Sequence, residues 1–340
     1  MSAPERIPPG RMSGTAPAAE ATRELLRQGT LTVRGQITAA SNTVLFGTVE
    51  HAGSSLPCVY KPVAGERPLW DFPDGNLARR EVAAYEVSRA TGWDLIPATV
   101  LRDGPYGPGM CQAWVGEPPD ADDDGEDAPS GEPAEAAPGR EPGRGPGGEP
   151  GRGPGGEPEE EPAPLLALVD GEEPGEGWKA VGFADVGGGR SALLVHADDP
   201  RLRRLAVLDA VLNNGDRKGG HLLPRPDGAL YAIDHGVTFH VDDKLRTLLW
   251  GWAGEELTGE AVEALRRLST ALCADAGGHA EAAEAAQAVD AAEAPLAARL
   301  AELLTEAEVQ AVGKRVEALL SSGRHPLPSG EWPAIPWPPV

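Results

Sequence analysis

The chain alternates apolar and polar residues through Leu31-Thr-Val-Arg-Gly-Gln-Ile37, turns over the small polar run Thr38–Asn42, and continues in a strand-like run through Thr43-Val-Leu-Phe-Gly-Thr-Val49. A third run ends in Cys58-Val-Tyr-Lys61. Strand-like runs separated by a small-residue tip predict an antiparallel meander. Before it, Glu20–Gln28 reads as a short helix, and residues 1–18, rich in Pro, Gly, Ser and Ala, as a disordered terminus. After it, Asn76–Thr91 carries Leu77, Glu81, Tyr85 and Ser88 at helical spacing and is closed by Gly92. Met110–Val115 is a further strand, so the expected order is β, β, β, α, β.

The pattern changes twice more. Pro200–Leu212 is a helix opened by Asp199, and Asn213–His221 is a polar loop. A hairpin then runs through Leu222-Leu223 and Ala229–Ile233, around Pro226-Asp-Gly228. From Glu255 to Ser322 Ala, Leu, Glu and Arg dominate, which predicts three or four helices broken at Gly277-Gly278 and Pro295. The Pro- and Trp-rich end cannot be helical and is expected to extend along a surface.

Composition changes this picture in one place. Residues 117–164 hold 15 acids, 3 bases, 12 Pro and 11 Gly, and so carry −12 of the formal −23 of the 340-residue chain. Glu141-Pro-Gly-Arg-Gly-Pro-Gly-Gly148 repeats as 149–156 without the three-residue glycine period of collagen. Such a segment is a disordered spacer. The expected organisation is therefore a disordered terminus (1–18), an N-lobe (19–116), a disordered acidic Pro/Gly-rich insert (117–164), a C-lobe with the catalytic and metal loops (165–325) and an extended Pro/Trp tail (326–340).

An acidic balance argues against nucleic acid or anionic lipid as the main partner, because phosphate binding needs clustered Lys and Arg. Cys58, Cys111 and Cys273 are odd in number and far apart, so neither a disulfide framework nor a zinc site is expected. With no signal-like run and no stretch near the roughly 18 apolar residues of a membrane span, a cytoplasmic protein without stable membrane insertion is expected. Leu248-Leu-Trp-Gly-Trp252 is the one segment that could touch a membrane, and core packing is the preferred reading of it. His51, His196, His279 and His325 show no metal spacing and read as surface or packing residues.

Four features carry chemistry. Lys61 ends an apolar strand, where a lysine ordinarily reaches solvent, but one turned into a cleft can neutralise nucleotide phosphates. Glu81 lies on the helix face of Leu77 and Tyr85, and an inward carboxylate needs a cation, for which Lys61 is the candidate; Glu86, by contrast, reads as a solvated helix charge. The loop with Asp216, Arg217, Lys218 and His221 is either a self-capped turn or a catalytic loop. Asp234 follows an apolar strand, as a turn residue or as a rigidly held metal ligand. The hairpin between Asp216 and Asp234 would bring both carboxylates to one edge.

Lysine with paired glutamate, then a loop aspartate, then a metal aspartate is the order of parts in kinase phosphoryl transfer. The segments VYKP, NNGDRKGGH and YAIDHGVTF resemble the nucleotide-binding core of the phosphatidylinositol 3-/4-kinase-like superfamily, most closely the type II phosphatidylinositol 4-kinases, with a more distant likeness to HipA-type kinases. The whole chain also looks like an actinobacterial family carrying that domain. The resemblance covers roughly residues 31–115 and 165–320. It implies an α+β, two-lobed protein-kinase-like fold of the atypical, lipid-kinase-like kind, with a small β-rich N-lobe and a mainly helical C-lobe.

It also implies an ATP-dependent phosphotransferase with Mg2+, or Mn2+ in its place. Lys61 would contact a phosphate and pair with Glu81, while Ser41, Asn42 and Thr43 would form the phosphate-covering turn. Asp216 would orient or deprotonate the acceptor hydroxyl, Lys218 would stabilise the transferred group, and Asp234 would hold the metal. Two positions depart from the pattern. His221 stands where the family has a second metal-ligating Asn, and the covering turn has no Gly. The acceptor is expected to be a protein or small molecule rather than a lipid, and a nucleotide-binding pseudokinase or scaffold without turnover is the alternative.

Overall fold

The computed structural model describes residues 16–37, 42–67, 69–72, 75–119, 163–185, 190–273, 294–330 and 333–336. The expected disordered terminus falls outside them up to residue 15, and so does the acidic insert from 120 to 162.

The N-lobe is a five-stranded antiparallel sheet of β1 (Thr30–Gln36), β2 (Leu45–His51), β3 (Ser54–Pro62), β4 (Thr99–Gly104) and β5 (Gly107–Ala113), ordered β1-β2-β3-β5-β4. The meander is as expected; β4, paired with β5 through the Gly104↔Gly107 hairpin, is an added strand. Strand alternation sorts the two faces. Cys58, Tyr60 and Cys111 point to one side, where they join Leu26 of α1 (Ala16–Gln28) in an apolar cluster with Val49 and Val100. On the other side Met110 meets Ala78 and Val82 of α2 (Leu77–Thr91). Lys61 is the cross-strand partner of Met110, so alternation alone sends it toward α2.

α2 starts where Asn76 Oδ1 accepts from Arg79 N and ends at Gly92 in the left-handed region (φ 75°), as its sequence predicts. It is buried nearly all round, because Ala83, Ala84 and Val87 also belong to the large core of the C-lobe. Glu86 is therefore not solvated. It is 5% exposed and meets the guanidinium groups of Arg23, Arg89 and Arg299.

A three-stranded antiparallel sheet opens the C-lobe: β6 (Leu166–Val169), β7 (Trp178–Asp185) and β8 (Ser191–Ala197), ordered β6-β8-β7. Its strands hold continuous apolar runs, such as Ala192–Val195, in place of regular alternation, which hides it in the sequence. There follow α3 (Pro200–Leu212), the hairpin β9 (Leu222–Pro224) and β10 (Leu230–Ala232), and the helices α4 (Gly259–Cys273), α5 (Leu296–Leu303) and α6 (Glu306–Ser322). The break expected at Gly277-Gly278 lies outside the described residues. The fold is α+β and two-lobed, with the sheet in the N-terminal region and the helices in the C-terminal region, and α2 is packed into both.

Leu248, Leu249, Trp250 and Trp252 are all buried, so this segment is core rather than a membrane contact. Trp250 Nε1 donates to the carbonyl of Ala334 (2.7 Å), as does Thr247 N (3.1 Å), which lays the Pro/Trp tail along it. No helix among the described residues is long and apolar enough to cross a membrane.

Candidate active site

Three elements deliver the centre of the site. Lys61 Nζ lies 2.6 Å from Glu81 Oε1 of α2 and 3.3 Å from Asp234 Oδ1, which follows β10. Glu81 is 2% exposed, and its second oxygen accepts from the backbone N–H of His235 (2.9 Å). One buried carboxylate thus fixes both the lysine of the N-lobe and the loop that carries Asp234. Burial disfavours the Lys61 ammonium, but Glu81 and then Asp234 outweigh it and hold its pKa above the ordinary lysine value. Lys61 in turn lowers the pKa of Asp234, which burial alone would raise. Both groups are charged across the neutral range.

Asp234 has φ 60°, the left-handed region that aspartate visits at some cost. Its neighbours hold it there. Arg217 Nη1 donates to the carbonyl of Ile233 (3.0 Å) and Nη2 to His235 Nε2 (2.6 Å). That same guanidinium makes a two-pronged pair with Asp209 of α3, 2.9 Å at each prong, with both side chains fully buried. Asp209 also accepts from Asn214 Nδ2 (2.9 Å), and Asn214 Oδ1 accepts from the N–H of Asp216 (3.0 Å). The Arg217–Asp209 pair therefore sets the loops of Asp216 and Asp234 against one another.

Asp216 is 31% exposed on its side chain and pairs with Lys218 (3.1 Å). His221 sits on a short 3-10 turn with Nε2 3.5 Å from Asp234 Oδ2. Burial lowers the His221 pKa, only partly offset by Asp234, so its ring is neutral at pH 7. Asn42 and Thr43 bond elsewhere: Asn42 Oδ1 accepts from Arg67 N (2.9 Å) and Thr43 N donates to Gly65 O (3.2 Å), tying the covering turn to the segment after Lys61. Ser41 lies outside the described residues.

The structure thus joins Lys61, Glu81, Asp234 and His221 directly and places the Asp216–Lys218 pair beside His221. Sequence reading gave no role to Asp209, Asn214, Arg217 or His235. Asp209 had a signal: a lone acid in Leu205-Ala-Val-Leu-Asp-Ala-Val-Leu212 is a buried charge that requires a partner. A cavity of about 560 Å³, lined among others by Asn213, Leu245, Arg315 and Leu319, lies apart from these groups and contains none of the expected site residues.

Among the described residues no three His, Cys, Asp or Glu side chains are grouped to hold a metal by themselves. Asp234 with His221 supplies two donors. That suits an ion such as magnesium, which binds through one or two protein groups and completes its shell with substrate phosphates and water. Imidazole favours manganese over magnesium.

His235 and His325 are 0% and 4% exposed. Burial first, then Arg217, holds the His235 pKa well below its ordinary value, and burial first, then Arg203, lowers that of His325 to about 4. Both are neutral when folded and take up a proton on unfolding in mild acid. Their stability contribution is complete above the unfolded value of about 6.5 and is lost as pH falls below it, at about 1 kcal/mol per residue per pH unit. Urea unfolding at pH 7.5 and 5.5 is expected to show this loss, reduced in His325→Gln; a flat profile would contradict the assignment.

Fold and site together define a two-lobed α+β protein in which a strand lysine of the N-lobe pairs with a glutamate of the helix packed into both lobes and faces a loop aspartate. The chain belongs to the family of Protein Rv2133c of Mycobacterium tuberculosis (strain ATCC 25618 / H37Rv), to which it is 41% identical over 314 residues, 92% of this chain and 94% of that protein. No protein-family model matches it. Among solved structures it is similar to the Golgi casein kinase (TM-score 0.40, 10% identity) and to the same protein with Mn/ADP bound (0.44, 10%), each over 91% of this chain and 76% of the other. It is also similar to hydra Fam20 with sugar (TM-score 0.44, 11% identity), over 91% of this chain and 89% of that one.

Proposed function

We propose that the chain is an ATP-dependent phosphotransferase of the phosphatidylinositol 3-/4-kinase-like type, acting in the cytoplasm on an alcohol group of a protein or small molecule. The observation that carries this reading is the position of Lys61, held between a buried glutamate of α2 and the aspartate after β10. A strongly perturbed ionisable group that stays partly open to solvent, as Lys61 does at 22% exposure beside a partner buried to 2%, is a candidate functional group.

In this reading Lys61 meets the nucleotide phosphates, Glu81 orients it, and Asn42 and Thr43 cover them with Ser41. Asp234 with His221 would hold the divalent ion, which would supply positive charge against the phosphates. Asp216 orients the acceptor hydroxyl and accepts its proton, and Lys218, drawn to Asp216, faces the transferred group. The acceptor oxygen forms its bond to the γ-phosphorus as the bond to the β-γ bridging oxygen breaks, and ADP leaves.

His221 also favours a second reading, a nucleotide-binding pseudokinase or scaffold. A neutral imidazole stands where an amide oxygen would complete a two-ion site. Incubation with γ-labelled ATP separates the two. Label transfer that needs Mg2+ or Mn2+ and stops with a chelator supports the enzyme. A nucleotide-induced rise in melting temperature without transfer under either metal supports the scaffold.

A further inference from the structure

The end of β3 is joined to α2 a second time, by a residue outside the Lys61–Glu81 pair. After Lys61-Pro62 the chain makes a 3-10 turn, Val63–Gly65, and leaves it through Glu66 in extended conformation. The Glu66 carboxylate spans the start of α2: Oε2 accepts from Leu77 N (2.9 Å) and Oε1 from Ala78 N (2.8 Å). These are two of the four N–H groups that a helix leaves without partners inside itself, and a carboxylate also complements the helix dipole at this end. Asn76 Oδ1 takes a third, Arg79 N (2.8 Å).

Glu81 lies one helical turn beyond Leu77, about 6 Å along the axis. The segment that carries Lys61 therefore grips one turn of α2 at both ends, through Glu66 at its start and through Lys61 at Glu81 (2.6 Å). The same turn is bonded to the C-lobe, where Arg79 Nη1 donates to Glu302 O (2.8 Å) and Arg80 pairs with Glu308 of α6 (2.5 Å). Apolar packing of Ala78 and Val82 against Val63 and Met110 is non-directional, so these bonds decide how Glu81 stands against Lys61.

Residues 63–67 also meet the expected phosphate-covering turn. Thr43 N donates to Gly65 O and Arg67 N to Asn42 Oδ1, and a Cβ at Gly65 would lie 2.5 Å from that of Thr43. One short segment thus links the covering turn, Lys61 and the first turn of α2. We propose that Glu66 is a positioning residue for the Lys61–Glu81 pair, holding α2 where Glu81 directs Lys61 at the nucleotide phosphates; this rests on the nucleotide-binding reading of the site.

Calorimetric titration of ATP with Mg2+ into wild type, Glu66→Ala, Asn76→Ala, Lys61→Ala and Glu66→Ala/Lys61→Ala tests it. Glu66→Ala and Asn76→Ala both remove acceptors from the first turn of α2, and urea unfolding measures what each costs; of the two, Glu66 is the one that comes from the segment after Lys61. Glu66→Ala is expected to weaken ATP binding about tenfold, and Asn76→Ala by less than about twofold. In the Lys61→Ala background Glu66→Ala is expected to add less than about twofold, because it acts through Lys61. Glu66→Gln keeps the size and one acceptor oxygen, so it keeps the fold and gives a smaller loss in the same direction. A Glu66→Ala affinity equal to that of wild type or of Asn76→Ala, or a loss that persists without Lys61, overturns the proposal and leaves the nucleotide site standing. ATP affinity unchanged in Lys61→Ala removes the nucleotide site itself, and the proposal with it.

Discussion

Asp216→Ala is expected to lower the rate of phosphate transfer by about 10²–10⁴-fold, the range for removing a positioned proton acceptor, while nucleotide affinity stays within a few-fold of wild type. The split follows from geometry. Asp216 pairs with Lys218, while Lys61 pairs with Glu81 and Asp234, so its removal leaves the Lys61–Glu81 pair in place. Its backbone is fixed by Asn214, which the substitution keeps. Single-turnover transfer with saturating ATP reads the chemical step directly, and a rate within threefold of wild type would remove Asp216 from the mechanism.

The largest effect on folding is expected at Arg217. Arg217→Ala strands Asp209 as an uncompensated charge in a fully buried place, a change that costs about 3–5 kcal/mol, a large share of the roughly 5–15 kcal/mol of a typical protein. It also frees the Ile233 carbonyl and His235 from the guanidinium that holds them beside Asp234. The double variant Asp209→Leu/Arg217→Met removes both charges and keeps apolar volume, and is expected to recover most of that stability without recovering transfer. Urea unfolding of the three proteins checks the first part, and a single-variant cost below about 1 kcal/mol would contradict the assignment of Arg217 as the hub of the two loops.

The elements that could be read from the chain are those whose signal is local. α3 begins at Pro200 with Asp199 capping and ends at Leu212, as its punctuation says, and the β1–β3 meander follows its alternation. Lys61 and Glu81 were legible because strand period and helix face each turned a charge inward, which forces a pairing. What the pattern hid is long-range. The β6-β8-β7 sheet is built of apolar runs that do not alternate, and α2 is buried nearly all round because the cores of both lobes use it. Glu86 looks like any helix-surface acid until Arg23 and Arg299, 63 residues before it and over two hundred after it, close over it. The fixing of Asp234 through Arg217 and Asp209 likewise depends on three segments that meet only in the folded chain.

The central claim is that Lys61, Glu81 and Asp234 form a nucleotide and metal site, and calorimetric titration of ATP with and without Mg2+ or Mn2+ tests it most directly. Wild type is expected to bind ATP more tightly with the metal than without it. Lys61→Ala should weaken ATP binding about tenfold or more under both conditions, as loss of one charge-assisted phosphate contact requires, whereas Asp234→Ala should abolish the metal's contribution and leave metal-free binding in place. Affinity that is the same in all three proteins, or insensitive to metal in wild type, would contradict the account.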